Sequence, residues 1–211
     1  MLIMNKETVR KGYIKVCLEE GKPSDSVYAF CKKLKIEEDS FYKLYNSLEM
    51  IDKDIWLGWF EDTIASLNAD ETYNSYSAKE KLLAFYFTWV QNLRKNRSYV
   101  LMQKKNLDLK SIRDDQLLEF KKAFELYINA LLNQGMDEKQ IQERKFISDK
   151  YHYGFWLQLL FVLDYWIKDT SLDFEQTDAA IEKAVNLSFK LIGENALDSI
   201  IDFGKFLLQK K

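Results

Sequence analysis

The chain is predicted to be all-α. It holds one proline and seven glycines in 211 residues, too few turn formers for a sheet of many short strands. Its apolar residues, 47% of the total, recur at three- and four-residue spacing in successive segments, the pattern of helices that bury one face. Charged residues make up a further 30%, so the chain reads as globular rather than disordered. A mass of 25.1 kDa allows one large or two small domains.

The first helix is expected over residues 6–20, with Val9, Tyr13, Val16 and Cys17 on one face. Gly21 and Pro23 stop it, and Ser24 or Asp25 is expected to cap a second helix at about 25–34. A third helix is expected at about 38–45. A fourth starts after Asn46 or Ser47 and runs to about Leu67, with Ile51, Ile55 and Trp59 on its apolar side. The polar run NADETYNSYS, residues 68–77, follows. Ser77 with Glu80 then makes a capping box for a helix at about 78–94. A short helix is expected at 98–105, and a longer one at about 114–134 with Gly135 as its stop. Residues 137–168 read as one long helix or two abutting ones. Asp173 or Thr177 is expected to cap a helix at about 176–192 that Gly193 ends, and a last helix at about 195–208 follows. FWLQLLFVLDYWI, residues 155–167, is shorter than a membrane span and contains Asp164, so it reads as a buried core helix. The segment MLIMNKETVRK is too short and too soon charged for a signal peptide. The cytoplasm is therefore the expected compartment, with Cys17 and Cys31 as buried free thiols.

Residues 26–51 are the most specific stretch. Val27, Phe30, Cys31 and Leu34 recur at helical spacing, and Ile36 follows as a turn plug. Phe41, Leu44 and Tyr45 form a second apolar face. Two short helices crossing steeply around a small core make a helix-turn-helix. The segment FYKLYNSLEMI resembles the end of the helix-turn-helix of the TetR family of bacterial transcriptional regulators. There an aromatic-rich recognition helix runs through YxxF into a cap. Tyr42 and Tyr45 stand at the aromatic positions, Ser47 at the cap and Ile51 at the apolar position beyond it.

The resemblance implies a TetR-like architecture. An N-terminal three-helix unit of residues 1–50 would bind DNA. A C-terminal helical bundle of residues 51–211 would bind a small apolar ligand and form a homodimer through its last two long helices. It implies a one-component transcriptional regulator, in which a ligand in the bundle shifts the fourth helix, where Gly58 either eases bending or serves packing. The residues placed to touch DNA are Lys32, Lys33, Lys35, Ser40, Tyr42 and Lys43. Tyr42 and Ser40 suit base edges and the lysines suit phosphates.

The chain departs from the family pattern in three places. Leu34 and Lys35 occupy the turn where the family usually has Ala-Gly. Lys35 at a left-handed position would cost on the order of 1 kcal/mol. Glu37, Glu38 and Asp39 open the recognition helix, where small and basic residues are usual, and Leu48 replaces a lysine at the cap. Across the first sixty residues, basic and acidic side chains match one for one. The whole chain carries a net charge of −2, against strong nonspecific phosphate binding. The alternative function is therefore a TetR-fold accessory protein that binds a lipid or isoprenoid and has lost DNA binding.

Aromatic residues make up 15% of the chain and suggest either a ligand cavity or a densely packed core. The candidates for the pocket are Phe87, Phe120, Phe124, Tyr127, Trp156, Phe161 and Tyr165. Asp164 among them either faces solvent or orients a polar ligand group. Ala179, Ala180, Ala184 and Val185 lie near one helix face, which suits a close symmetric seam or packing within the chain. His152 is the single histidine, so no metal site is expected. No catalytic set and no cofactor motif stand out, and an enzyme is not expected.

Overall fold

The computed structural model describes residues 5–104, 115–141 and 150–193. Within them the chain is helical and holds no strand. The helices are α1 (Lys6–Glu20), α2 (Val27–Leu34), α3 (Glu38–Tyr42), α4 (Leu48–Asn68), α5 (Ala78–Arg94), α6 (Arg97–Gln103), α7 (Leu118–Asp137), α8 (Tyr151–Lys168) and α9 (Glu175–Gly193). Short 3-10 turns stand at Tyr73–Ser75, Asp115–Leu117 and Leu172–Phe174. The helix expected at 195–208 lies outside the described residues.

Local chemistry accounts for the element ends. The Asn5 carboxamide accepts from Thr8 N (2.8 Å) to start α1, and Gly21 closes it with φ 68°, the left-handed turn that glycine tolerates best. Ser26, rather than Ser24 or Asp25, caps α2 through Ala29 N (3.1 Å). The capping box of α5 is formed: Ser77 N donates to Glu80 Oε2 at 2.8 Å, and Glu80 N to Ser77 Oγ at 3.3 Å. The cap of α9 differs from expectation. Asp169 supplies it, accepting from Thr177 N (2.9 Å) and Oγ (2.6 Å) as well as from Ser171 N and Oγ. Burial raises the pKa of that carboxyl, but the Ser171 and Thr177 hydrogen bonds outweigh it and hold the group at about 2. Gly135 does not end α7, which continues to Asp137. Its missing side chain serves close packing instead: a Cβ there would lie 2.5 Å from Ile141 Cδ1.

The chain forms two compact units. The first comprises residues 1–65 and 89–124, the second residues 66–88 and 125–211. In the first, Tyr13, Phe30 and Phe41 stack edge to face at 5.5 and 5.9 Å between α1, α2 and α3. A larger aromatic core there gathers Trp56, Trp59, Phe60, Trp89, Tyr99, Phe120 and Phe124. In the second, α8 and α9 pack as an antiparallel pair. Phe155, Leu159, Val162 and Trp166 of α8 and Ile181 and Val185 of α9 are buried. Tyr127 and Tyr73 share a hydrogen bond (2.9 Å), and Tyr127 also donates to the Lys81 carbonyl (3.1 Å).

Candidate nucleic-acid interface and apolar groove

The turn between α2 and α3 follows from three residues. Lys35 takes left-handed backbone (φ 56°, ψ 46°), as its position predicts. Its N–H bonds the Lys32 carbonyl and the Ile36 N–H bonds the Cys31 carbonyl, at 3.3 and 3.0 Å, satisfying carbonyls at the end of α2. Leu34 fits because Gly12 of α1 faces it: a Cβ on Gly12 would lie 2.7 Å from Leu34 Cδ2. α3 ends at Tyr42, three residues short of expectation. Tyr45 is nevertheless buried with Phe41. At the start of α4, the Ser47 hydroxyl bonds the Glu49 carboxylate and holds its pKa below the ordinary value.

The six residues placed to touch DNA fall in and around α2 and α3. Tyr42 is 49% exposed and meets Phe41 edge to face, so its ring is supported while its hydroxyl is free to reach outward. Ser40 is half-buried. Lys32, Lys33, Lys35 and Lys43 are exposed, but two are engaged: Lys33 pairs with Glu20 and Lys43 with Asp39. Lys32 and Lys35 make no ion pair among the described residues. Tyr28, 62% exposed on α2, was not among the candidates. Its signal is that it stands off the Val27–Phe30–Cys31–Leu34 stripe.

Sequence periodicity also missed two carboxylates on α4. Asp54 accepts from Lys6 Nζ (3.1 Å), Arg10 Nη1 (3.2 Å) and Tyr45 Oη (2.6 Å), tying α4 to α1 and to the chain after α3. Gly58 makes room for that Arg10, since a Cβ would lie 2.3 Å from its Nη1. Gly58 is thus a packing contact. Asp52 accepts from Tyr13 of α1 (3.2 Å), from Tyr99 of α6 and from Gln103 of α6 (2.9 Å). Burial pushes its pKa up against the opposing effect of the Tyr99 and Tyr13 hydrogen bonds.

In the second unit, α8 and α9 leave an open groove of about 770 Å³ between them. Leu157 and Phe161 of α8 and Leu187 of α9 stand 49%, 52% and 58% exposed along it. Gly154, Ala179, Ala180 and Ala184 keep its floor low. Of the seven aromatic candidates for a pocket, Phe161 and Tyr165 line this groove, with ring centroids 5.9 Å apart. Trp156 is buried in the second unit, where Tyr127 joins Tyr73 and Phe87 is half-buried. Phe120 and Phe124 are fully buried in the aromatic core of the first unit. Asp164 pairs with Lys168 at the surface. Among the described residues no set of His, Cys, Asp and Glu is arranged to hold a metal ion, and no helix is long and apolar enough to cross a membrane.

Two solved structures share this fold. A protein of unknown function from Rhodococcus sp. RHA1 superposes with a TM-score of 0.57 over 92% of this chain and 98% of its own, at 9% identity. A bacterial regulatory protein in the tetR family from Rhodococcus RHA1 superposes with a TM-score of 0.52 over 89% of this chain and 96% of its own, at 14% identity. No curated protein matches the sequence. Residues 81–207 match the family model of the tetracyclin repressor-like C-terminal domain. With an all-α fold, a helix-turn-helix ahead of that matched segment and the segment itself covering more than half of the sequence, the chain belongs to the TetR family.

Proposed function

We propose that the protein is a one-component transcriptional regulator acting in the cytoplasm. Residues 1–50 bind DNA as a head, and residues 51–211 bind a small apolar ligand and form a homodimer. The observation that carries this reading is the formed helix-turn-helix, with Tyr42 displayed beside Ser40 and Lys43 at the end of the short α3. Tyr42 and Ser40 are placed for base edges, and Lys32, Lys33, Lys35 and Lys43 for phosphates. Ion pairing holds back two of the four lysines, which favours contacts made by shape and base edge over nonspecific attraction.

Of the last two long helices expected to pair, the one at 195–208 lies outside the described residues, and the dimer seam is assigned to α9 together with α8. Exposed Leu157, Phe161 and Leu187 supply the apolar area, and the small residues beside them let a symmetry-related copy approach closely. Two heads then address successive major grooves. The aromatic side chains of the bundle, Tyr127 and Trp156 among them, are the candidates to contact the ligand.

The test is selection of duplexes from a randomised library by the full chain, followed by affinity measurement over a salt series. Enrichment of a symmetric motif is expected. Tyr42→Ala with Lys43→Ala should lower affinity for it at least tenfold, or by about 1.4 kcal/mol or more. No enrichment at low salt would sink the regulator reading and turn attention to lipids that co-purify with the chain.

A further inference from the structure

The two α4 carboxylates hold different things. The Asp54 side chain takes its donors from Lys6, Arg10 and Tyr45, so it braces the head internally. Asp52 divides its two oxygens between helices. Oδ2 accepts from Tyr13 Oη of α1, while Oδ1 accepts from Tyr99 Oη and Gln103 Nε2 of α6. Gln103 also donates to Tyr99 Oη at 3.0 Å, so the two α6 donors act together. Tyr13, Tyr99 and Gln103 are each at most 1% exposed. Among the described residues no cation takes part: the titratable groups facing Asp52 are Tyr13 and Cys17 of α1, Tyr99 of α6 and Glu49 on its own helix.

Asp52 itself is half-buried, and a carboxylate held there by neutral donors is a poor way to gain stability, since its desolvation offsets what the hydrogen bonds contribute. It is a good way to define position. Withdrawing α6 would take both of its donors from Oδ1 at once and open that oxygen to water. The arrangement therefore favours discrete joined and parted states over a graded one.

We propose that Asp52 is a positioning residue that joins α6 to the DNA-binding head, one oxygen serving α1 and the other α6, so that the seating of α6 sets the affinity of the head for DNA. The inference rests on the regulator reading and names the group through which α6 acts. Linkage gives it a direction with pH. The joined state buries Asp52 and raises its pKa, whereas a parted state would return the group to water and to its ordinary value. Acid therefore favours the joined state, and the preference fades as pH rises above the raised value.

Tyr99→Phe is the direct test, because it removes one α6 donor and keeps the ring. Amides of α6 in the full chain should exchange with deuterium about tenfold faster than in wild type. Affinity for a duplex selected by the wild type should depart by at least about fivefold, in either direction. Tyr73→Phe, which removes a comparable hydrogen bond in the other unit, should move neither readout. In wild type, acidification should shift affinity in the sense opposite to Tyr99→Phe. Asp52→Asn should remove that pH-dependent component.

Unchanged α6 exchange in Tyr99→Phe would overturn the proposal. So would faster exchange with an affinity no different from that of Tyr73→Phe. If Tyr99→Phe does not fold, Gln103→Met takes its place, with the same two readouts and the same outcomes supporting or overturning the proposal. Failure of the wild type to select any duplex would instead overturn the regulator reading, and this inference with it.

Discussion

The head and the α8–α9 pair use aromatic residues in opposite ways. In the head, Tyr13, Phe30 and Phe41 close a small core completely, and the aromatics left outside, Tyr28 and Tyr42, each carry a hydroxyl. In the α8–α9 pair, Trp156, Trp166 and Phe155 fill the inner face, while Leu157, Phe161 and Leu187 remain outside and line one groove. Scattered exposed aromatics are ordinary, but a contiguous apolar face implies a partner. The head is thus finished as a folding unit, whereas the α8–α9 face leaves an apolar groove open, the surface proposed above as the dimer seam.

Removing one aromatic from each region should therefore have unlike effects. Phe30→Ala in the head is expected to cost about 4 kcal/mol of folding stability, because Phe30 is fully buried between two rings. Thermal unfolding followed by circular dichroism reads it directly, and a loss below about 1 kcal/mol would contradict the packing described. Phe161→Glu on the groove should leave the helical signal intact. It should weaken self-association at least a hundredfold, or about 2.7 kcal/mol, seen by sedimentation over a concentration series. A Phe161→Glu chain that associates as tightly as wild type would show that the groove is not the seam.

A smaller effect bears on the same contrast at the loop that joins α8 to α9. Asp169 has a depressed pKa of about 2, so it contributes stability that is present above the unfolded value near 3.9 and lost as pH falls through about 2. Urea unfolding of wild type against Asp169→Asn should differ by about 1–2 kcal/mol at pH 5. The difference should shrink on acidification towards pH 2. A constant difference would mean that the carboxylate charge is not what caps α9.

How much of this was legible beforehand depended on how local each cause is. The limits of α1 and α5 follow from signals within four residues, Gly21 for one and the Ser77–Glu80 box for the other. The left-handed Lys35 was legible from the family resemblance, which places it where glycine is usual in the turn. The cap of α9 was not, because Asp169 stands eight residues before Thr177 and folds back to it. Gly135 misled because glycine signals both helix ends and close approaches, and here Ile141 supplied the second reason. Ser24, Asp25 and Ser26 all qualify as caps, and sequence alone does not rank them. Asp52 looked like one more surface carboxylate of α4, since its donors lie 39 to 51 residues away. Among the aromatics, Phe85 to Trp89 surround their helix, so no single face could be singled out as a pocket wall.

The contact between Gly12 and Leu34 carries a consequence for ancestry. A large residue stands in the turn where the family resemblance implies a small one, and Gly12 on the helix opposite gives it room. Neither change is comfortable alone: a side chain at position 12 collides with Leu34, and a small residue at 34 leaves a hollow beside Gly12. The two positions are therefore expected to covary, with bulk at one accompanied by its absence at the other. Across relatives, that inverse pairing would trace the lineage in which this turn arose.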